Sequence, residues 1–273
     1  MTATLSSLHL YPVKSCHRVD LETATVEPWG LAGDRRWVVV DEEGLHRTQR
    51  SVPRMALIRP TYTADGRLLL QAAGMPDLEL PAPSRAGDAR PIVVTVWRFT
   101  GAVASAGAAA DAWFTGFLGL PCRLAYMDDT YVRPTNPAYS RPDDRVSFAD
   151  GYPLLLTSTA SLAALGAWIT EMGAEPVPMT RFRPNVVLAG AEPWAEEGWK
   201  RVRIGGQEFR VVKPCDRCVM TTVDPELGEF AGQQPLRALR KFHRDGKAVL
   251  FGMNLVPDTE GELRVGDAFE VLD

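Results

Sequence analysis

Apolar and polar positions alternate, with interruptions, through most of the first hundred residues. Residues 5–11 alternate loosely, 24–28 form a short extended run, and 36–41 (Arg-Trp-Val-Val-Val-Asp) are an apolar stretch closed by the acidic turn Asp41-Glu42-Glu43-Gly44. Alternation of this kind puts successive side chains on opposite faces and predicts strands. A hairpin-like pair follows, residues 55–63 and 68–72, joined through Asp65-Gly66, a dipeptide suited to the positive φ of a tight turn. Residues 78–80 and 91–99 add two short strands, and Gly74, Pro76, Pro81, Pro83 and Gly87 punctuate the chain between them.

The period then changes. Trp113, Phe114, Phe117 and Leu118 share one face at helical spacing within residues 108–118, and Gly119 suits the C-terminal cap. A second helix is predicted from Thr157 or Ser158 to about Met172, with Leu162, Leu165, Trp168 and Ile169 on its buried side and Gly173 as its stop. The Pro-, Asp- and Arg-rich stretch between them, 131–150, reads as an ordered, exposed loop. Strands return at 185–188, 201–204, 207–213, 219–223 and 265–272, with Gly205-Gly206 as a hairpin turn. A short helix is expected at 236–243, with Arg237, Arg240, Lys241 and Arg244 on its wet side. The sum is a β-rich α+β protein with a boundary near residues 85–100.

Composition narrows the function. With 273 residues and 45% hydrophobic content the chain can build its core without disulfide staples. Thirty Lys and Arg against 34 Asp and Glu give a net charge of −4, which argues against nucleic-acid duplex as the main partner. Cys16, Cys122, Cys215 and Cys218 are too few and too scattered for a secreted disulfide framework. The first ten residues lack a basic and then apolar leader, so a cytoplasmic, reducing location is expected. Residues 151–170 carry no charge and 101–122 only Asp111, yet neither is the continuous apolar run of about 18 residues that a membrane span needs.

Several cofactors find no motif. The chain has no G-x-G-x-x-G after a strand and no phosphate-binding G-x-x-x-x-G-K-[ST], so no NAD or flavin site is expected. Four cysteines without ferredoxin spacing argue against an internal iron–sulfur cluster. The remaining thiol motif is Cys215-Asp216-Arg217-Cys218. Zinc would need two further ligands, a thioredoxin-type pair wants a helix N-terminus, and two inert half-buried thiols are also compatible. The other reading is one thiolate, beside Lys213 and Arg217, as ligand of a soft or highly charged metal centre. A second constellation suits an anion: Lys14 and Ser15 at the end of one strand, Arg35 and Arg36 at the start of another, and Arg181, Arg183 and Asn185 before a third. Converging, such groups hold phosphate by charge-assisted hydrogen bonds.

Four ordered motifs together resemble one family. Tyr11-Pro12-Val13-Lys14-Ser15, Leu31-Ala32-Gly33-Asp34-Arg35-Arg36-Trp37, Arg181-Phe182-Arg183-Pro184-Asn185 and the run from Cys215 to Pro225 are similar to those of MOSC proteins with an N-terminal MOSC β-barrel domain, among them the amidoxime reducing components. The resemblance implies a β-barrel-like MOSC N-terminal domain over 1–95 and a MOSC β-barrel domain with a few helices over 96–273. It implies a molybdenum cofactor, a molybdopterin, with Cys218 as metal ligand and catalytic residue and Cys215 structural. It places Lys14, Ser15, Arg35, Arg183 and Asn185 near the pterin phosphate, and Gly151, Tyr152 and Arg217 among the other pterin contacts. The implied reaction is two-electron reduction of small N-hydroxylated compounds (hydroxylamines, amidoximes, N-hydroxylated bases) to amines. Some bacterial members carry a C-terminal ferredoxin domain. This sequence shows none, so a separate electron-donor redox protein is expected, with the basic residues Arg237, Arg240, Lys241 and Arg244 as its docking patch. The alternative is a carrier of the cofactor or its sulfur without turnover, similar to the C-terminal domain of molybdenum cofactor sulfurases.

Overall fold

The computed structural model describes residues 3–84 and 90–273, so the expected break at Gly87 and the first two residues of the N-terminal reading lie outside the described residues. The described residues are β-rich with three α-helices: α1 (Ala108–Leu118), α2 (Thr159–Glu171) and α3 (Leu236–Phe242). A nine-stranded sheet dominates. Its order is Val19–Leu21, Thr4–Leu10, Val186–Ala189, Leu154–Ser158, Ala248–Pro257, Gln207–Asp216, Arg201–Ile204 and Phe269–Val271, and Arg244–Asp245 pairs beside Ala248–Pro257. Leu154–Ser158 and Val186–Ala189 run parallel, so the chain between them must cross over, and α2 makes that crossing. Ser158 caps α2, its Oγ accepting from the N–H groups of Ala160 and Ser161 at 3.2 and 3.3 Å.

A second sheet joins Trp37–Val40, Arg123–Tyr126, Phe99–Ser105 and Pro91–Val96 in that order, and therefore ties strands before residue 95 to strands after it. The buried face of α1 packs Trp113, Phe114 and Phe117 with Trp37 and Leu124 of this sheet, at the period the sequence predicts. The first strand of the chain, Thr4–Leu10, sits inside the large sheet against Val186–Ala189. The two halves thus meet along the segment that follows it, Tyr11 to Ser15. No helix among the described residues is long and apolar enough to cross a membrane.

Several expected elements differ. The strand expected at 219–223 is a 3₁₀ turn, Val219–Thr222, followed by only Val223–Asp224 in extended form. Threonine hydroxyls explain it: Thr221 Oγ1 donates to the Cys218 carbonyl at 3.0 Å and Thr222 Oγ1 to that of Val219 at 2.7 Å, local bonds that compete with a ladder. Met55 belongs to a 3₁₀ turn, Pro53–Leu57, and the hairpin strand starts at Arg59. Residues 91–99 form two strands folded back at Trp97 and Arg98, not one. The last strand shrinks to Phe269–Val271, because Asp267 closes a turn onto Arg264. The loop 131–150 is buried at its ends: Arg133 donates to the carbonyls of Ser147 and Ala149 at 2.7 and 2.5 Å, and Phe148 is fully enclosed. Ala248–Pro257, central to the sheet, has no counterpart in the pattern reading; most of its residues are buried, so alternation is lost.

Candidate functional site

Three short segments converge where the two halves meet, and each turns through the left-handed region at a non-glycine residue. Ser15 has φ 66°, Arg35 φ 46° and Arg183 φ 57°. An L side chain there costs roughly 1–2 kcal/mol, and such strain concentrates at binding sites. The turns are locked by the backbone: Lys14 N–H donates to Trp37 O at 2.8 Å, Arg35 N–H to Tyr11 O at 2.7 Å, and Arg183 N–H to Thr180 O at 3.3 Å.

Side chains complete the frame. Asn185 Oδ1 accepts from Arg35 Nη1 at 2.9 Å and from the Leu155 N–H at 3.3 Å, while its Nδ2 donates to His9 O at 3.1 Å. The guanidiniums of Arg35 and Arg183 lie 4.3 and 4.2 Å from the centre of the buried Tyr11 ring. Tyr11 donates its hydroxyl to Pro184 O at 3.2 Å, and burial pushes its pKa up to about 12.

The enclosed space is a cavity of about 100 Å³. Lys14, Ser15, Arg35, Gly151, Tyr152, Arg183, Asn185 and Arg217 line it, together with Asp150 and Cys215. Two cations of the expected anion constellation do not: Arg36 donates to Met127 O and Asp129, and Arg181 to Thr222 O and Asp224, so both are already matched elsewhere. Nor does Cys218 line it. It lines an adjoining cavity of about 270 Å³ that shares Asp150, Cys215 and Arg217 with the first.

The first cavity carries excess positive charge. Lys14 is paired with Asp150 and Arg35 with the buried Asp34, but among the described residues Arg183 and Arg217 have no carboxylate partner. Burial lowers Arg183 to about 10 and Lys14 to about 8, with Asp150 opposing the shift at Lys14. Four buried polar atoms of its lining also lack a hydrogen-bond partner among the described residues: Ser15 Oγ, Tyr152 OH, Arg183 Nη2 and Arg217 Nε. Buried polar groups are normally satisfied, so unpaired donors beside unpaired cations make a site for an anion with several acceptor oxygens.

The charge of Lys14 sets a pH limit. Anion binding here should weaken as pH rises through about 8, where the ammonium loses its proton. Calorimetric titration with sulfate, whose own charge is constant over this range, should show that fall in the native chain and a flat profile in Lys14→Met. Equal profiles would remove Lys14 from the anion site.

Each thiol of the motif has a guanidinium. Arg50 Nε donates to Cys218 Sγ at 3.2 Å, and Arg217 Nη1 to Cys215 Sγ at 2.9 Å. Both cysteines are partly buried, so the choice of Cys218 as metal ligand rests on the motif and not on a difference in environment. Pattern reading missed Arg50 altogether. It lies in a polar run with no motif, and only the fold brings it to a thiol 168 positions away; its second bond, to Asp150 at 3.1 Å, links that thiol to Lys14. Lys14 and Arg50 together hold Asp150 below the usual carboxylate range, against the raising effect of burial. Trp97 was also missed; it donates to Asp150 at 3.2 Å and stacks on Arg50 at 4.6 Å.

Comparison with known proteins identifies the family. Residues 2–121 match the MOSC N-terminal beta barrel domain and residues 143–270 the MOSC domain. The human mitochondrial amidoxime-reducing component 1 is 35% identical over 98% of this chain and 83% of its own length. The Xenopus laevis protein of the same name is 32% identical over 96% and 80%. A molybdenum cofactor sulfurase of Danio rerio is 32% identical over 93% of this chain, a match that takes up 32% of that protein. With sequence kinship over nearly its whole length, the chain belongs to the MOSC family, as a two-domain member related to the amidoxime reducing components.

Proposed function

We propose that the protein binds a molybdenum cofactor and reduces N-hydroxylated compounds to amines, with electrons from a separate redox protein. The observation that carries this reading is the juxtaposition of the cation-rich cavity, with its four unpaired donors, and the adjoining cavity that exposes the Cys218 thiol. The donor set fits such a cofactor: phosphate oxygens match the unpaired cations and hydroxyls, and sulfur suits a highly charged metal. Lys14, Ser15, Arg35, Arg183 and Asn185 would hold the phosphate end, Gly151, Tyr152 and Arg217 the pterin, and Cys218 the metal.

When bound, the group supplies a two-electron couple that, with two protons, converts an N–O bond to amine and water. The chain's own residues bind and orient. Arg50, donating to Cys218 Sγ at 3.2 Å, fixes where that sulfur sits. Asp150 stays ionised and fixes Lys14 and Arg50, so it acts as an anchor and not as a proton donor near neutral pH. A cytoplasmic setting belongs to the same proposal, and the four free cysteines are compatible with it.

The test is turnover of benzamidoxime by the cofactor-loaded protein with an artificial electron donor. Steady production of benzamidine is expected, and the isolated chain should show no NADH-driven rate. The kinship with a molybdenum cofactor sulfurase supports a second reading, a carrier. Tight cofactor retention without turnover would favour it over the reductase.

A further inference from the structure

At Cys218 the motif also faces α3 across a third cavity of about 370 Å³. Arg217, Cys218, Val219, Leu236, Arg237 and Arg240 line it, and among the described residues no Asp or Glu does. Arg237 and Arg240 are three positions apart on α3 and therefore share one face. Both are exposed, and neither has a carboxylate partner among the described residues. The neighbouring 270 Å³ cavity is different: there Arg50 is paired with Asp150 at 3.1 Å and Arg181 with Asp224 at 3.0 Å.

The expected basic patch is also divided by this geometry. Lys241, its Nζ 4.4 Å from the Phe242 ring centre, and Arg244, on the strand after α3, lie outside the cavity lining. Arg217 lines the cavity too, but its guanidinium already donates to Cys215 Sγ and Phe182 O, which leaves Arg237 and Arg240 as the exposed unmatched cations of a concave site that reaches Cys218. Val219 and Leu236 give the same wall an apolar surface.

We propose that this cavity receives a substrate carrying a negative charge, and that Arg237 and Arg240 select it: an N-hydroxylated compound with an apolar body and a carboxylate or phosphate at the far end from its N–O bond. The N–O part of this assignment rests on the reductase reading above; the anion site does not. Charge complementarity favours a small anion, because the cations line a pocket of ligand size instead of standing on an open face. Exposed ion pairs are weak singly, so two together should give roughly five- to tenfold discrimination at low salt, declining as salt screens them.

Calorimetry on the cofactor-loaded protein tests this with benzamidoxime and 4-carboxybenzamidoxime. The carboxylated ligand should bind several-fold more tightly at low salt, and the preference should fall to parity in Arg237→Gln/Arg240→Gln. Both positions are exposed, so an unchanged melting temperature will show that the variant folds. Parity in the native protein, or a preference that survives both substitutions, overturns the proposal. So does a variant that loses only the rate driven by an acidic redox protein, which would make the pair a protein-docking contact. If the binding preference holds but neither compound is turned over, the reductase reading fails and the anion site stands.

Discussion

Cys218→Ser is expected to remove molybdenum from the protein and lower N-reductive turnover at least roughly 100-fold, the upper end of what loss of even an outer partner of a metal site costs. A serine hydroxyl keeps the size of the side chain but not the anionic sulfur that a highly charged metal requires. Arg50→Gln removes the guanidinium that donates to Cys218 Sγ at 3.2 Å and to Asp150 at 3.1 Å, and should cost roughly 10- to 100-fold. Cys215→Ser is the control that separates the two thiols. It alters the bond from Arg217 at 2.9 Å and the weak one that Cys215 Sγ donates to Asp216 O at 3.9 Å, and should stay within about tenfold of the native rate. Metal content by mass spectrometry and amine production by chromatography read both effects. Full metal occupancy in Cys218→Ser, or loss of metal in Cys215→Ser, would reverse the assignment.

That control is needed because the sequence and the structure inform on different things here. The motifs that carry the family are contiguous runs, and the fold brings part of each of three to one place: Lys14 and Ser15, Arg35, Arg183 and Asn185 all face one cavity, while Arg36 and Arg181 do not. What a contiguous motif cannot show is a partner far along the chain. Arg50 and Trp97 reach the site only through tertiary packing, and neither stands in a recognisable spacing. Secondary structure divides along the same line. Helices α1 and α2 were legible because each is half-buried and its apolar residues recur with the helix period. Ala248–Pro257 was not, because a central strand has little solvent-facing polarity to mark its period. The 3₁₀ turn after Cys218 was misread because its β-branched residues suit a strand, while its threonine hydroxyls bond locally.

Asp34 is the less visible half of the anion site and the reason Arg35 cannot be removed cheaply. Its carboxylate is fully buried, accepts from the Tyr11 N–H at 2.9 Å and is paired with Arg35 Nη1 at 2.5 Å. Burial raises the Asp34 pKa despite Arg35, so the folded state holds this proton more firmly than the unfolded chain does. Stability from this group is complete below the ordinary carboxylate range and declines as pH rises towards the folded value. Arg35→Ala takes away the charge that limits that decline and leaves an uncompensated buried carboxylate, at a cost of about 3–5 kcal/mol at neutral pH. For a chain of this size that lowers the melting temperature by roughly 10 °C. The deficit should shrink on acidification, as Asp34 takes up a proton. Asp34→Asn/Arg35→Ala should regain more than half of it at pH 7, since an amide can still accept from Tyr11 without carrying charge. Cofactor retention should behave otherwise: one charge-assisted bond to phosphate, about 1.5–3 kcal/mol, is missing from the double variant too, so retention through dialysis should remain roughly tenfold or more below native. A double variant no more stable than Arg35→Ala would show that Asp34 is not what Arg35 holds in place. One that retained cofactor as the native protein does would show that Arg35 serves the fold and not the anion.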